Sequence, residues 1–375
     1  IEQRIWSKES GWTFKTAVNV GKNAHLVLLF GATGIIKQSG IFDEIQTLYP
    51  DALIFGCSTA GEICGVQILD NSLVATAVQF DSISVQGASV HCERLDNSFE
   101  AGFVLASKLP KMGLRHVVVL SEGVRVNGSD LVRGLSSILP DDIGITGGLA
   151  GDSDRFQETY IMLNGPAQTG LIGAIGLYGN RLKIGYGSRG GWDPFGPERL
   201  VTRSRGNVLY EMDGRCALDL YKDYLGEHAR GLPATGMLFP LSLRSRDADS
   251  TVVRTILSVD EEARSLTYAG DIPEGTYVRL MKANIDRLIG GAISAAETSR
   301  EAVANPTLSI LISCIGRKLV LKQRTEEEIE GVQQTLGENV VLTGFYSYGE
   351  ICPHQHGMGP ALHNQTMTIT TLAED

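Results

Sequence analysis

Three stretches of the chain repeat one order of apolar and polar positions. Each opens on a short apolar run, His25-Leu-Val-Leu-Leu-Phe30, His116-Val-Val-Val-Leu120 and Leu308-Ser-Ile-Leu-Ile312, with the length and composition of a buried strand. Apolar residues at helical spacing follow, and then a second short run, Leu53-Ile-Phe55, Ile143-Gly-Ile145 and Val341-Leu342. Each stretch closes on small residues and a glycine that an acid follows: Gly56-Cys-Ser-Thr-Ala-Gly-Glu-Ile63, Thr146-Gly-Gly-Leu-Ala-Gly-Asp152 and Gly344-Phe-Tyr-Ser-Tyr-Gly-Glu-Ile351. When the three are aligned without gaps on Gly61, Gly151 and Gly349, Ile41 meets Leu131 and Ile329, and Leu48 meets Ile138 and Leu336. The pattern reads as strand, helix, strand and glycine turn, built three times.

Between these units the signals are mostly those of strands. Residues 72–78 form one candidate, and residues 82–86 and 88–92 suggest a hairpin about Gly87. Asn97 or Ser98 is placed to cap a helix that Pro110 ends. Residues 158–188 are strand-like, residues 187–196 read as a surface loop around Trp192, and residues 208–225 read as a helix bridging two domains. Further strands are expected at 251–257, 265–268 and 366–371, with a helix over 284–304. The fold class is therefore α+β, mixed sheets flanked by helices with a threefold internal repeat, in domains 16–214 and 215–375. Since strands border every glycine turn, the three turns are expected to converge at sheet ends.

Composition narrows the function classes. Of 375 residues 43% are hydrophobic and 20% charged, a globular profile. The net charge of −10, without a Lys or Arg tract, argues against nucleic-acid partners and anionic membranes. No run of about 18 apolar residues is present, and the first residues lack signal-peptide architecture, so a cytoplasmic protein without membrane insertion is expected. The six cysteines, Cys57, Cys64, Cys92, Cys216, Cys314 and Cys352, show neither C-x-x-C spacing nor the density of a secreted scaffold. Gly31-Ala-Thr-Gly34-Ile-Ile-Lys37 fails both phosphate-loop patterns, because no Gly precedes the Lys and Lys37 stands where a third Gly is needed. Ser58 and Ser347 both miss the G-x-S-x-G nucleophile context. The chain is not expected to be an enzyme.

The three turn motifs, taken with Pro353 and with Leu362-His-Asn-Gln-Thr-Met367, resemble the FIST sensory domains, N-terminal part then C-terminal part, over roughly residues 20 to 370. That resemblance implies a small-ligand sensor coupled to a signalling partner. The chain is similar also to the nitric-oxide sensing haemoproteins called NosP, which implies haem b, a response to nitric oxide, and control of a partner histidine kinase or of cyclic-di-GMP signalling. Members of the wider family imply instead a sensor of amino acids or another small metabolite, without haem.

Haem iron needs an axial imidazole or thiolate. Cys352-Pro353-His354-Gln355-His356 offers both, and His363 and His228 are the other candidates. A Cys/His metal site built from Cys352, His354, His356 and His363 is a further alternative, limited by the alternation of side chains along an extended segment. For a haem-free ligand the turns supply a cradle. Backbone N–H groups at Gly61, Gly151 and Gly349 suit a carboxylate, while Glu62, Asp152 and Glu350 suit an ammonium group. Ser58, Gly148, Tyr346 and Ser347 complete the lining. The acids serve equally well as caps for neighbouring amides. Oligomeric state is open.

Overall fold

The computed structural model describes residues 1–16, 18–92, 97–244, 251–353 and 359–375. Among them stand three six-stranded sheets and one eight-stranded sheet. The first unit comprises β1 (Leu26–Ala32), α1 (Ser39–Leu48), β2 (Leu53–Thr59), β3 (Glu62–Cys64) and β4 (Leu73–Val78). The second comprises β5 (Leu114–Ser121), α2 (Gly128–Ser136), β6 (Gly144–Leu149), β7 (Ile161–Leu163) and β8 (Leu171–Tyr178). The third comprises β9 (Leu308–Cys314), α3 (Ile315–Leu321), α4 (Thr325–Leu336), β10 (Val341–Ser347), β11 (Gly349–Pro353) and β12 (Met367–Glu374).

In each unit the first two strands are parallel and the last returns antiparallel beside the first. The short strand after the glycine turn does not stay in its own sheet. Strand β3 joins β10, β11 joins β6, and β7 joins β2, so each unit lends an edge to another and the three close in a ring. One glycine sits at the same place in every exchange. Gly56 lies between Leu29 and Met162, Gly147 between Val119 and Ile351, and Gly344 between Leu311 and Ile63. A Cβ at any of the three would overlap the carbonyl oxygen of Leu29, Val119 or Leu311. The wedge in the second unit is Gly147, whereas the ungapped alignment sets Thr146 against Gly56 and Gly344. The alignment slips there because β5 and β6 are offset by one residue more than β1 and β2.

The first strands are buried on both faces for a reason visible in the core. Leu26, Leu28 and Phe30 of β1, Val118 and Leu120 of β5, and Leu308, Ile310 and Ile312 of β9 meet in one shared central cluster. Their alternate residues turn outward to the helices: Val27 and Leu29 pack with Ile41 and Ile45 of α1, and Val117, Val119 and Leu311 join Leu131, Leu135, Ile329 and Val332. Double burial is what a parallel pair covered by helices requires. The eight-stranded sheet spans Asp193–Arg205 to Tyr277–Lys282 and has its own core with helix Ala217–Leu225.

Local expectations fail at three places. Residues 187–196, read as a surface loop, include the end of strand Leu182–Arg189 and the start of strand Asp193–Arg205, and Trp192 between them is buried. Residues 84–91 are one strand paired without interruption with β8 rather than a hairpin; Gly87 stands opposite Ile175 in that ladder, and its missing Cβ leaves room for Leu163 and Leu53. Residues 208–225 split into strand Val208–Met212, a turn at Asp213 and Gly214 with positive φ, and the helix from Ala217. The boundary expected at residue 215 falls on that hairpin, inside one sheet. No described helix is long and apolar enough to cross a membrane.

Candidate functional site

The three glycine turns do converge. The Gly151 N–H donates to Ser58 O at 3.0 Å, Tyr348 N–H to Leu149 O at 3.1 Å, and Ala60 N–H to Tyr346 O while Tyr346 N–H donates to Gly61 O, both at 2.8 Å. Gly151 is packed so tightly that a Cβ would stand 2.8 Å from Ala60 N. Gly148 and Gly349 likewise face Ile312 and Leu149.

Two of the three acids are wired alike. Glu62 accepts from the hydroxyls of Thr59, three residues before it, and Ser72 (2.7 Å), and from Ser72 N–H at 3.3 Å. Glu350 accepts from Ser347, again three residues before it, at 2.8 Å and from Thr366 Oγ1 and N–H at 2.9 and 3.1 Å. Burial pushes both carboxyls up to about 7, against the relief their hydrogen bonds give. Asp152 works differently. It caps a loop by accepting from the amides of Phe156 (2.8 Å), Gln157 and Glu158 (both 3.1 Å), and from the Tyr348 hydroxyl. That loop holds Ser153 and Phe156 at positive φ, a conformation L residues rarely adopt, with Phe156 stacked on Tyr348 at 4.1 Å. Thus Ser58, Gly61, Glu62, Gly148, Gly151, Asp152, Tyr346, Ser347, Gly349 and Glu350 are brought together and buried, with the three carboxylates bonded mainly to hydroxyls and amides of the residues around them.

An open cavity of about 580 Å³ lies directly over them, walled by their chain neighbours. Ala60 follows β2, Ser153 and Asp154 follow β6, and Ile315 follows β9, so the cavity sits beyond the carboxyl ends of parallel strands from all three units. In α/β sheets that is where ligands bind, because loops there can vary without disturbing the core. Lys318 crosses its floor. Its Nζ donates to Ala60 O at 3.0 Å and to the Asp70 carboxylate, and lies 5.5 Å from the Tyr346 ring centroid. Asp70, Asp154 and Glu326 bring one carboxylate from each unit, and Ile68, Ile315 and Leu319 supply apolar wall. Sequence reasoning passed over these residues, because a lysine and acids spaced along two helices and two loops look like solvated charge. Behind Lys318, the neighbouring Arg317 is wholly buried on Glu328 at 2.7 Å and donates to Gly190 O and Leu288 O at 2.6 and 2.8 Å. Glu328 also accepts from Tyr346 Oη at 2.9 Å. This network sets the position of α3 and hence of Lys318.

His354 and His356 lie outside the described residues. The Cys352 thiol is 0% exposed and burial pushes its pKa well up, which disfavours a thiolate. His363 is buried, its Nε2 2.8 Å from Cys352 O. His228 is exposed, 5.4 Å from the Phe239 ring. Among the described residues no group of three or more His, Cys, Asp or Glu side chains is assembled to hold a metal ion.

The family model for the FIST N domain matches residues 25–215 and that for the FIST C domain residues 217–353. Uncharacterized protein MJ1623 of Methanocaldococcus jannaschii is 24% identical over 344 residues, covering 83% of this chain and 64% of that protein. The chain therefore spans under two thirds of that relative's length. A cyanuric acid hydrolase from A. caulinodans aligns over 78% of this chain and 99% of its own at 10% identity, with a TM-score of 0.19, too low to carry any argument.

Proposed function

The chain belongs to the FIST family, both of whose domains it carries in order, and on that premise we propose that it senses a zwitterionic metabolite of the amino-acid class. One observation carries the reading: a lysine ammonium and three carboxylates, each acid from a different unit, line one cavity at the carboxyl ends of the parallel strands. The ligand's carboxylate takes the place of Asp70 on Lys318. Its ammonium group then falls to Asp70, Asp154 and Glu326, and its side chain to Ile68, Ile315 and Leu319. The volume suits a small molecule. The match in wiring at Glu62 and Glu350, and the ring of exchanged strands, support the reading of the three units as copies of one.

A ligand in this position bridges the Asp152-capped loop and α3, which belong to different family segments. Its differential affinity for two arrangements of that loop supplies the signal; a coupling of about 1–3 kcal/mol changes partner affinity about 5–150-fold. The partner in this reading is a histidine kinase or another signalling protein. Thermal unfolding with a panel of amino acids tests the proposal: a ligand at 100 times its Kd stabilises by about 2.7 kcal/mol, and Lys318→Met is expected to abolish the effect. A panel without effect on the wild type, or an equal effect on Lys318→Met, overturns it. The competing haem b and nitric-oxide reading is decided in the same preparation. A Soret band of stoichiometric intensity, lost in His354→Ala, His356→Ala or His228→Ala, would replace the amino-acid reading.

A further inference from the structure

A second cavity, of about 400 Å³, opens where α2 meets the eight-stranded sheet and strand Pro360–His363. It shares no lining residue with the cavity over Lys318. On its wall lies Arg254, at the end of strand Thr251–Arg254 and only 6% exposed. The guanidinium is met by neutral main-chain oxygens. Its Nη1 donates to Leu362 O at 2.9 Å and Val253 O at 3.3 Å, and its Nε to Asp271 O at 3.3 Å. Gly270 leaves the room for it, since a Cβ there would stand 2.8 Å from Nε.

Among the described residues no carboxylate forms an ion pair with Arg254. The nearest candidate, Asp271, is committed elsewhere: its carboxylate accepts from Asn127 Nδ2 at 2.8 Å and reaches Arg133 at 3.7 Å. Carbonyl oxygens satisfy N–H groups but leave a buried positive charge uncompensated, a costly arrangement unless an anion arrives. Burial lowers the guanidinium pKa to about 10, with Asp271 countering only in part. Val132, Leu243, Val252 and Leu362 give the wall its apolar part, the Ser129 hydroxyl adds a donor, and Arg133 and Asp271, which face each other at 3.7 Å, line it as a charged pair.

We propose that this cavity binds a small carboxylate with an apolar body, its carboxylate on Arg254 and its chain between Val132, Leu243, Val252 and Leu362. With Nε and Nη1 held by main-chain oxygens, Nη2 is the guanidinium nitrogen left to donate to the bound carboxylate. Because α2 lies in the first family segment and Arg254 in the second, the bound anion joins the two.

Calorimetric titration of the full chain with acetate, butyrate, hexanoate and hexanamide tests this. Each added methylene is expected to tighten binding about fourfold, and hexanamide, which lacks the charge, to bind far more weakly than hexanoate. Arg254→Met is expected to abolish hexanoate binding, while Lys318→Met leaves it intact, so this proposal and the amino-acid reading fail separately. Should Arg254→Met not fold, Val252→Phe keeps the guanidinium and fills the apolar wall; it is expected to bind acetate and to lose the preference for hexanoate. Absence of hexanoate binding by the wild type, equal binding of hexanamide, hexanoate binding by Arg254→Met, or an unchanged preference in Val252→Phe each overturns the proposal.

Discussion

Glu62 and Glu350 lead to a prediction about pH. Each is buried at the end of a glycine turn, and burial raises each carboxyl from 4.5 to about 7. Between these two values the folded chain holds two protons that the unfolded chain has released. Stability then falls as pH rises, by roughly 1.4 kcal/mol per pH unit for each proton. The stabilising difference is complete below about pH 4.5 and gone above about 7, and over that interval it amounts to roughly 3 kcal/mol for each residue. His116 opposes it. Its imidazole, buried beside Thr146 Oγ1 at 2.8 Å, is held down to about 3 from 6.5, so the unfolded chain binds the extra proton and stability rises with pH between about 3 and 6.5. From 4.5 to 6.5 the two carboxyls outnumber the one imidazole, and these three groups together give a declining profile.

Glutamine reproduces the neutral carboxyl. In Glu62→Gln the amide oxygen still accepts from Ser72 and the NH2 group donates to Thr59; in Glu350→Gln, Thr366 and Ser347 play the same parts. Urea denaturation of each variant between pH 4.5 and 8 is expected to match the wild type at the acid end. At pH 8 each variant is expected to exceed the wild type by up to roughly 3 kcal/mol, with the intermediate slope reduced by about one proton. Variant and wild-type curves that run parallel across this range would refute the reasoning, because the carboxyls would then be ionised in the fold throughout.

Three further outcomes are expected. Removing Arg317 strands the buried Glu328, so Arg317→Met is expected to cost about 3–5 kcal/mol, while Arg317→Met with Glu328→Leu recovers much of that loss; a denaturation double-mutant cycle without coupling would show that the network is not a unit. Gly344→Ala places a methyl group on the Leu311 carbonyl and is expected to destabilise by at least about 1–3 kcal/mol, read from the urea midpoint at unchanged slope. Asn127 caps α2 through Ser129 and Asp130 N–H and holds Asp271, so Asn127→Ala is expected to cost about 1–2 kcal/mol; a loss of a few tenths would mean that water replaces the cap.

The local pattern determined much of the architecture. Apolar runs marked both parallel strands of every unit, because those strands are buried on both faces and polar members such as Ser309 and Ser313 are small and buried as well. Helical spacing marked α1, α2 and α4, whose Ile41, Leu131 and Ile329 are buried at aligned positions. The turn motifs marked the place where the units meet, since only small residues let three backbones approach so closely. What tertiary structure alone decided is which partner each edge strand chose. Residues of β3, β7 and β11 have the same period-two pattern whether they pair within their own unit or with another, so the exchange that closes the ring has no local signature. The one-residue offset at Gly147 is equally silent, because the sequence does not show that Gly147, and not Thr146, takes a positive φ and stands where a Cβ would strike Val119 O across the sheet. The cavity follows the same rule. Lys318, Asp70, Asp154 and Glu326 look like solvated charges along the chain, and Arg254 like an ordinary strand-end cation; their meaning arises only when the ring carries them to one wall or buries them away from a counter-ion.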